Sequence, residues 1–112
     1  MTASGATRSA QDYFNLGNAA MARGQLGKAI AAFREAIRMD PCAANPHCFL
    51  GIALAANGEL DAAIVAFRDA IGIRPEFADA YYNLGNTLKD NGELDAAIVA
   101  FREAIRICPV LA

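Results

Sequence analysis

The stretch Asn57-Gly58-Glu59-Leu60-Asp61-Ala62-Ala63-Ile64-Val65-Ala66-Phe67-Arg68 recurs without a change as Asn91-Gly92-Glu93-Leu94-Asp95-Ala96-Ala97-Ile98-Val99-Ala100-Phe101-Arg102, 34 residues on. Working outward from this pair, the chain falls into three rows that begin at Ala10, Ala44 and Ala78 and need no gap. Tyr13, His47 and Tyr81 align, and so do Leu16, Leu50 and Leu84. Gly17, Gly51 and Gly85 follow, then Gly24, Gly58 and Gly92. Ala29, Ala63 and Ala97 share a column, as do Phe33, Phe67 and Phe101, and Ala36, Ala70 and Ala104. Pro41, Pro75 and Pro109 close the rows. A fixed period of this size is the mark of stacked units that cannot bury their apolar faces alone. The first row is the loosest of the three, as befits a terminal repeat.

Each row reads as two helices. Tyr81, Leu84 and Leu88 are spaced by three and four residues, one face of a 3.6-residue helix. Asn91-Gly92 then breaks the pattern, because glycine takes up the left-handed conformation that ends a helix. Leu94, Ala97, Ile98, Phe101, Ala104 and Ile105 form the stripe of a second helix, with Asp95 in its first turn, where a negative charge suits the dipole. Pro109 stops it, lacking the donor and clashing with the turn before. The helices are expected at 10–23, 26–39, 45–57, 60–73, 78–91 and 94–107. Ser9-Ala-Gln-Asp12 has the form of an N-terminal capping box. The fold class is therefore all-α: three antiparallel helix hairpins in repeats 10–43, 44–77 and 78–109, with a flexible segment at 1–9 and a tail at 110–112. The Gly17 column costs about 1 kcal/mol per residue relative to alanine. Close backbone approach within each hairpin is the expected compensation, with the Ala29 column on the other side of the crossing. The Phe33 column is expected to fill the space between hairpins.

Bulk properties exclude several function classes. Ten basic and twelve acidic residues give a net charge of −2, whereas nucleic-acid binding asks for a basic stripe and membrane-surface binding for a polybasic one. No apolar run approaches the roughly 20 residues that span a bilayer. Residues 1–9 lack the apolar core of a signal peptide, so a cytoplasmic location is expected. Cys42, Cys48 and Cys108 are odd in number and have no C-x-x-C spacing, which reads as free thiols of a reducing compartment. His47 is the sole histidine and stands in the Tyr13 and Tyr81 column, so it reads as a packing residue. Cys48 beside it does not share its face, since one helical step separates the two directions. No phosphate loop, dinucleotide fingerprint or metal-ligand spacing is present. The acid pair Glu59 and Asp61 recurs with the repeat, as a helix start. The expectation is a protein that is not an enzyme, with no cofactor and no metal.

These columns resemble those of the tetratricopeptide repeat family: an aromatic residue, Leu-Gly, then Gly, Ala, an aromatic, Ala and Pro at the family's spacings over residues 10–109. Departures are few. His47 replaces the usual aromatic, Ala20 replaces a larger residue, and Gly72 interrupts a helix near its end. The resemblance implies a right-handed α-solenoid whose first helices line a concave groove, and a scaffold that binds protein or peptide there. Some members are appended to enzymes, including a glycosyltransferase that modifies Ser and Thr, so an accessory domain of a larger enzyme is the alternative.

Carrying over the family's groove positions selects Phe14, Asn15, Asn18, Phe49, Ile52, Tyr82, Asn83 and Asn86 as the peptide-binding set. Gln11, Met21, Ala22, Asn45, Cys48, Ala55, Ala56, Asp79, Lys89 and Asp90 lie around it. Asparagine offers both donor and acceptor and can pair with peptide backbone whatever its side chains. Here the asparagines sit at the two ends and the middle is apolar. One subfamily reads the carboxylate of chaperone tails with a basic clamp. The matching positions are Phe14, Asn18, Phe49, Asp79 and Asn83, of which only Asn18 fits, so such tails are not expected ligands. The arginines of the second helices, from Arg34 to Arg106, read as a solvated convex face with local ion pairs. Solenoids usually end in a polar cap, and none is legible after Pro109. Ile98, Phe101 and Ile105 would then be exposed, a candidate self-association face through which copies stack end to end into a homo-oligomer. A fragment of a longer repeat protein is the other reading.

Overall fold

The computed structural model describes residues 7–111. Six helices follow one another: α1 (Ala10–Ala22), α2 (Leu26–Met39), α3 (Ala44–Ala56), α4 (Leu60–Ile73), α5 (Ala78–Asp90) and α6 (Leu94–Ile107), then a 3₁₀ turn at Pro109–Leu111. There is no strand among the described residues. Residues 1–6 of the segment expected to be flexible, and Ala112 of the tail, lie outside them.

The repeat columns build the same turn three times. Gly24, Gly58 and Gly92 have φ of 73°, 81° and 83°, where a side chain would be strained. That conformation lets Gln25 N–H reach Ala20 O at 2.9 Å, Glu59 N–H reach Leu54 O at 2.9 Å and Glu93 N–H reach Leu88 O at 2.8 Å. These six-to-one bonds satisfy carbonyls that the helix end would orphan. The first helices thus end one residue before the expected positions, at the residue preceding Asn57 or its equivalents. Glu59 and Glu93 hold the N-cap positions of α4 and α6 without a side-chain cap bond. Their carboxylates instead accept from Asn57 Nδ2 at 2.9 Å and Asn91 Nδ2 at 2.8 Å, so they brace the turn rather than cap the helix. At the other end of each hairpin, Asp40, Arg74 and Cys108 have φ of −142°, −128° and −137°, the extended backbone imposed by the proline that follows. α1 starts at a full capping box: Ser9 Oγ accepts from Asp12 N–H at 3.1 Å and Asp12 Oδ2 accepts from Ser9 N–H at 2.9 Å. That Ser9 bond is the first cause holding the Asp12 carboxyl below its usual range.

The glycine inside each first helix has a different use from the one expected. The space at Gly17, Gly51 and Gly85 is filled by the ring of Phe33, Phe67 and Phe101, not by the facing backbone. A Cβ added to these glycines would lie 2.5, 2.7 and 2.7 Å from the nearest ring carbon. The phenylalanine therefore belongs first to its own hairpin. It also meets the next one, with the Phe33 and Phe49 ring centroids 6.0 Å apart. Ala29, Ala63 and Ala97 are sealed beside them. Packing follows chain order, each helix on the next, and α3 also touches α5. The result is a rod of 56 × 26 × 22 Å with a core running along its length.

Candidate functional site

Because α3 touches α5, and Phe14 of α1 stacks edge-on against Phe49 of α3 at 5.2 Å, the first helices converge. Their flank is the inner side of the stack. Its composition is decided by three columns. At the first, Phe14, Cys48 and Tyr82 align; at the second, Asn15, Phe49 and Asn83; at the third, Asn18, Ile52 and Asn86. In α3 the aromatic has moved one residue on, about 100° around the helix. Cys48 is left small where its equivalents are bulky. Phe49 instead leans toward α1, completing a cluster with Phe14 and Phe33 whose centroids are 5.2 to 6.0 Å apart.

This shift opens a hollow of about 300 Å³ lined by Phe14, Asn45, Cys48, Phe49, Ile52, Phe77, Asp79 and Asn83. Of the residues expected at the groove, Phe14, Phe49, Ile52 and Asn83 meet here. Asn15, Asn18, Tyr82 and Asn86 lie outside this lining; Tyr82 is exposed and stacks its ring 5.9 Å from that of Phe101. Cys48 is buried rather than presented. Desolvation, with the charge of Asp79 adding to it, pushes its thiol up to about 11, so it forms an inert floor. Phe77 was not legible as a site residue. It holds the N-cap position of α5 and is buried with the guanidinium of Arg74 4.2 Å above its ring. The one available signal was a bulky apolar residue where the preceding repeat has Ala43.

The asparagines are unequal. Asn83 Nδ2 donates to Asp79 O at 2.9 Å, one turn back on its own helix, and Asn15 Oδ1 accepts from Gln11 Nε2 at 3.0 Å. Neither bond uses Asn83 Oδ1 or Asn15 Nδ2. Asn18 and Asn86 are half-buried. A second hollow of about 510 Å³ adjoins the first through Phe14 and Asn45. It runs to the loop end, between Gln11, Asp40, Cys42 and Arg74. Together they make a trough with an apolar pit, amides on both sides, and the carboxylates of Asp40 and Asp79 and the guanidinium of Arg74 at its margins.

Elsewhere the side chains are structural. His47 is half-buried with Nε2 3.1 Å from Pro41 O, a bond that the Nε2–H tautomer donates. Of the second-helix arginines expected on a convex face with local pairs, Arg38 pairs with Glu35 and Arg106 with Glu103, and Arg106 also reaches Glu76 at 3.0 Å; Arg34, Arg68 and Arg102 show no such pair among the described residues, and Arg74 lies instead over Phe77 at the edge of the hollow. Cys42 is exposed, Cys108 half-buried, and none of the three cysteines is bridged. No helix among the described residues is long and apolar enough to cross a membrane.

No curated protein matches the chain. Among solved structures it is similar to MamA, with 32% identity, a TM-score of 0.85, and coverage of 88% of this chain and 58% of that one. It is also similar to YrrB, described as a TPR protein with an unusual peptide-binding site: 25% identity, TM-score 0.87, coverage 93% and 54%. The second TPR of Spaghetti, solved with an HSP90 peptide, shares the fold at 19% identity and a TM-score of 0.86, covering 89% of this chain and 93% of that one. The chain thus spans little more than half the length of MamA or YrrB. The model of the TPR repeat matches residues 17–58 and 51–92, and that of the tetratricopeptide repeat matches residues 78–109. On three matched repeats carrying the periodic columns described above, this chain belongs to the tetratricopeptide repeat family.

Proposed function

We propose that the inner flank holds an extended segment of another protein, with one large apolar side chain seated in the hollow on α3 and the segment's backbone paired by the amides of Asn15, Asn18, Asn83 and Asn86. The observation that carries this reading is the hollow itself. It is apolar on Phe14, Phe49, Ile52 and Phe77, and polar at Asn45, Asp79 and Asn83, the mixture that anchors a side chain and orients a backbone. The family and the peptide-bound neighbour support a protein-binding scaffold rather than a catalyst. Selection from a displayed library of random peptides tests it, followed by titration of the recovered peptides by calorimetry. The peptides are expected to share an aromatic or long aliphatic residue. Ile52→Glu is expected to weaken them by about tenfold or more, since it sets a charge at the anchor. Asn83→Ala with Asn86→Ala is expected to weaken them less. Peptides that bind Ile52→Glu as well as the native chain would refute the proposal.

A second reading is carried by the open side of α6. Ile98 is 48% exposed, whereas Ile30 and Ile64 in the same column are 7% and 9% exposed. We infer that the chain self-associates through this side. Ile105 is exposed with Ile98, as expected, but Phe101 is half-buried, because its ring is already committed to Gly85.

A further inference from the structure

The pit on α3 carries a charge of one sign. Of the residues that line it only Asp79 is charged. Asp79 stands in the column of Gln11 and Asn45, so the third row alone places a carboxylate there. None of the ion pairs among the described residues uses it. In the adjoining hollow Asp40 is matched by Arg74, whose guanidinium is laid over the Phe77 ring at 4.2 Å. At the floor of the pit the negative charge prevails: after desolvation, Asp79 raises the Cys48 thiol by more than Arg74 lowers it.

The polar wall of the pit asks for donors. Asn83 spends Nδ2 on Asp79 O at 2.9 Å, which leaves Oδ1, an oxygen that can take two donors. Beside it the Asp79 carboxylate accepts only. A lysine or arginine head supplies donors and positive charge together. The remaining wall includes the rings of Phe14, Phe49 and Phe77, apolar surface along which the methylene stem of such a side chain can lie. In an extended segment, side chains two residues apart share a side and are separated by about 7 Å. A cation at that spacing from the apolar anchor therefore faces the wall that the anchor enters.

Resting on the reading of the inner flank as a peptide site, we propose that the segment held there is cationic, with a lysine or arginine within two residues of its apolar anchor meeting the Asp79 carboxylate and Asn83 Oδ1. The peptides recovered from the displayed library test it. Their aligned sequences are expected to be enriched in Lys or Arg within two positions of the anchor. The tightest binder is then made as a fluorescein-labelled peptide, with a second version carrying Gln in place of that cation. Both are titrated by fluorescence anisotropy against the native chain, Asp79→Asn and Asp69→Asn, at about 50 and 500 mM salt. The native chain is expected to bind the cationic version about three- to tenfold more tightly than the Gln version. That margin is expected to shrink at the higher salt and to vanish in Asp79→Asn. Asp69→Asn, whose carboxylate lines neither hollow, is expected to keep it. Asp79 also lies in the first turn of α5, where an acid suits the helix dipole; a purely structural role there would weaken both peptides alike and leave the margin intact. A margin unchanged in Asp79→Asn, a margin lost equally in Asp69→Asn, or anchors flanked by acidic or neutral residues would overturn the proposal and leave the apolar site standing. Peptides indifferent to Ile52→Glu, or a selection that recovers none, would overturn both.

Discussion

Replacing the glycine inside each first helix with alanine separates two opposing effects that the structure weighs differently in each repeat. Alanine is favoured over glycine in a helix interior by about 1 kcal/mol. Against this, the new Cβ of Gly51→Ala would sit 2.7 Å from the Phe67 ring, where carbon contacts want 3.5 to 4.0 Å, so the ring has to retreat by about 0.8 Å or more. Phe67 is 1% exposed and Phe33 is 0% exposed; neither ring has free space behind it, and overpacking of this kind costs about 1 to 3 kcal/mol. Phe101 meets Gly85 at the same 2.7 Å but is only half-buried, with the open side of α6 into which it can move. Gly17→Ala and Gly51→Ala are therefore expected to destabilise by about 1 kcal/mol net, and Gly85→Ala to be neutral or to stabilise by up to about 1 kcal/mol. Urea titration followed by circular dichroism measures the order of the midpoints, which is the safer quantity because repeat arrays depart from all-or-none unfolding. Equal shifts of the same sign at Gly51 and Gly85 would refute the argument, since it rests on the difference in room behind two otherwise identical rings.

Cys48 gives the chain a pH-dependent stability: its thiol is raised to about 11 from an ordinary 9.0, so the folded state keeps a proton that the unfolded chain gives up. Stability from this group is complete below pH 9 and falls between pH 9 and 11, by up to about 3 kcal/mol in all; urea midpoints of native and Cys48→Ala protein across that range are expected to converge. At pH 8 a thiol-reactive disulfide reagent is expected to label exposed Cys42 and to spare Cys48 until urea unfolds the chain. An acidic C-terminal peptide is expected to show no binding that depends on its free carboxylate, because Phe14, Asp79 and Asn83 stand where a basic clamp would need cations; calorimetry with the free and amidated peptides checks this.

What repeats was legible, and what departs from the repeat was not. The columns of Gly24, Phe33 and Pro41 specify turn, crossing and stop, each a local rule that operates identically three times, so helix ends were readable to within a residue. The partner of Gly17 was misjudged because a gap in a helix surface can be filled by backbone or by a ring from either direction, and periodicity does not say which. The exposure of Phe101 was overstated for the same reason: a residue shared between its own hairpin and the next is half covered even when the next is absent. At the site, Phe49 and Ile52 could be placed on the inner flank by column, but the hollow could not be foreseen. It arises from Cys48 being small, Phe49 turning toward Phe14, and Phe77 entering from the loop, three choices in different columns whose joint effect exists only in space.

If the inner flank binds peptide as proposed, that distinction also assigns the selectivity within this chain. Residues of the invariant columns are consumed by the stack: Phe33 fills Gly17, Phe67 fills Gly51, and Ala29, Ala63 and Ala97 are sealed beside them, leaving them nothing to offer a ligand. On the inner flank the columns vary between rows, from Phe-Asn-Asn in α1 through Cys-Phe-Ile in α3 to Tyr-Asn-Asn in α5. The outer rows can pair with any peptide backbone, since amides do not read side chains. Only α3 supplies a shaped apolar recess, and an anchor side chain is discriminated by fit where a backbone amide is not. Exchanging Cys48, Phe49 and Ile52 for the residues of α5 should therefore fill the recess and erase discrimination among anchors while leaving the fold intact. That separation follows from the middle row alone breaking the pattern its neighbours share.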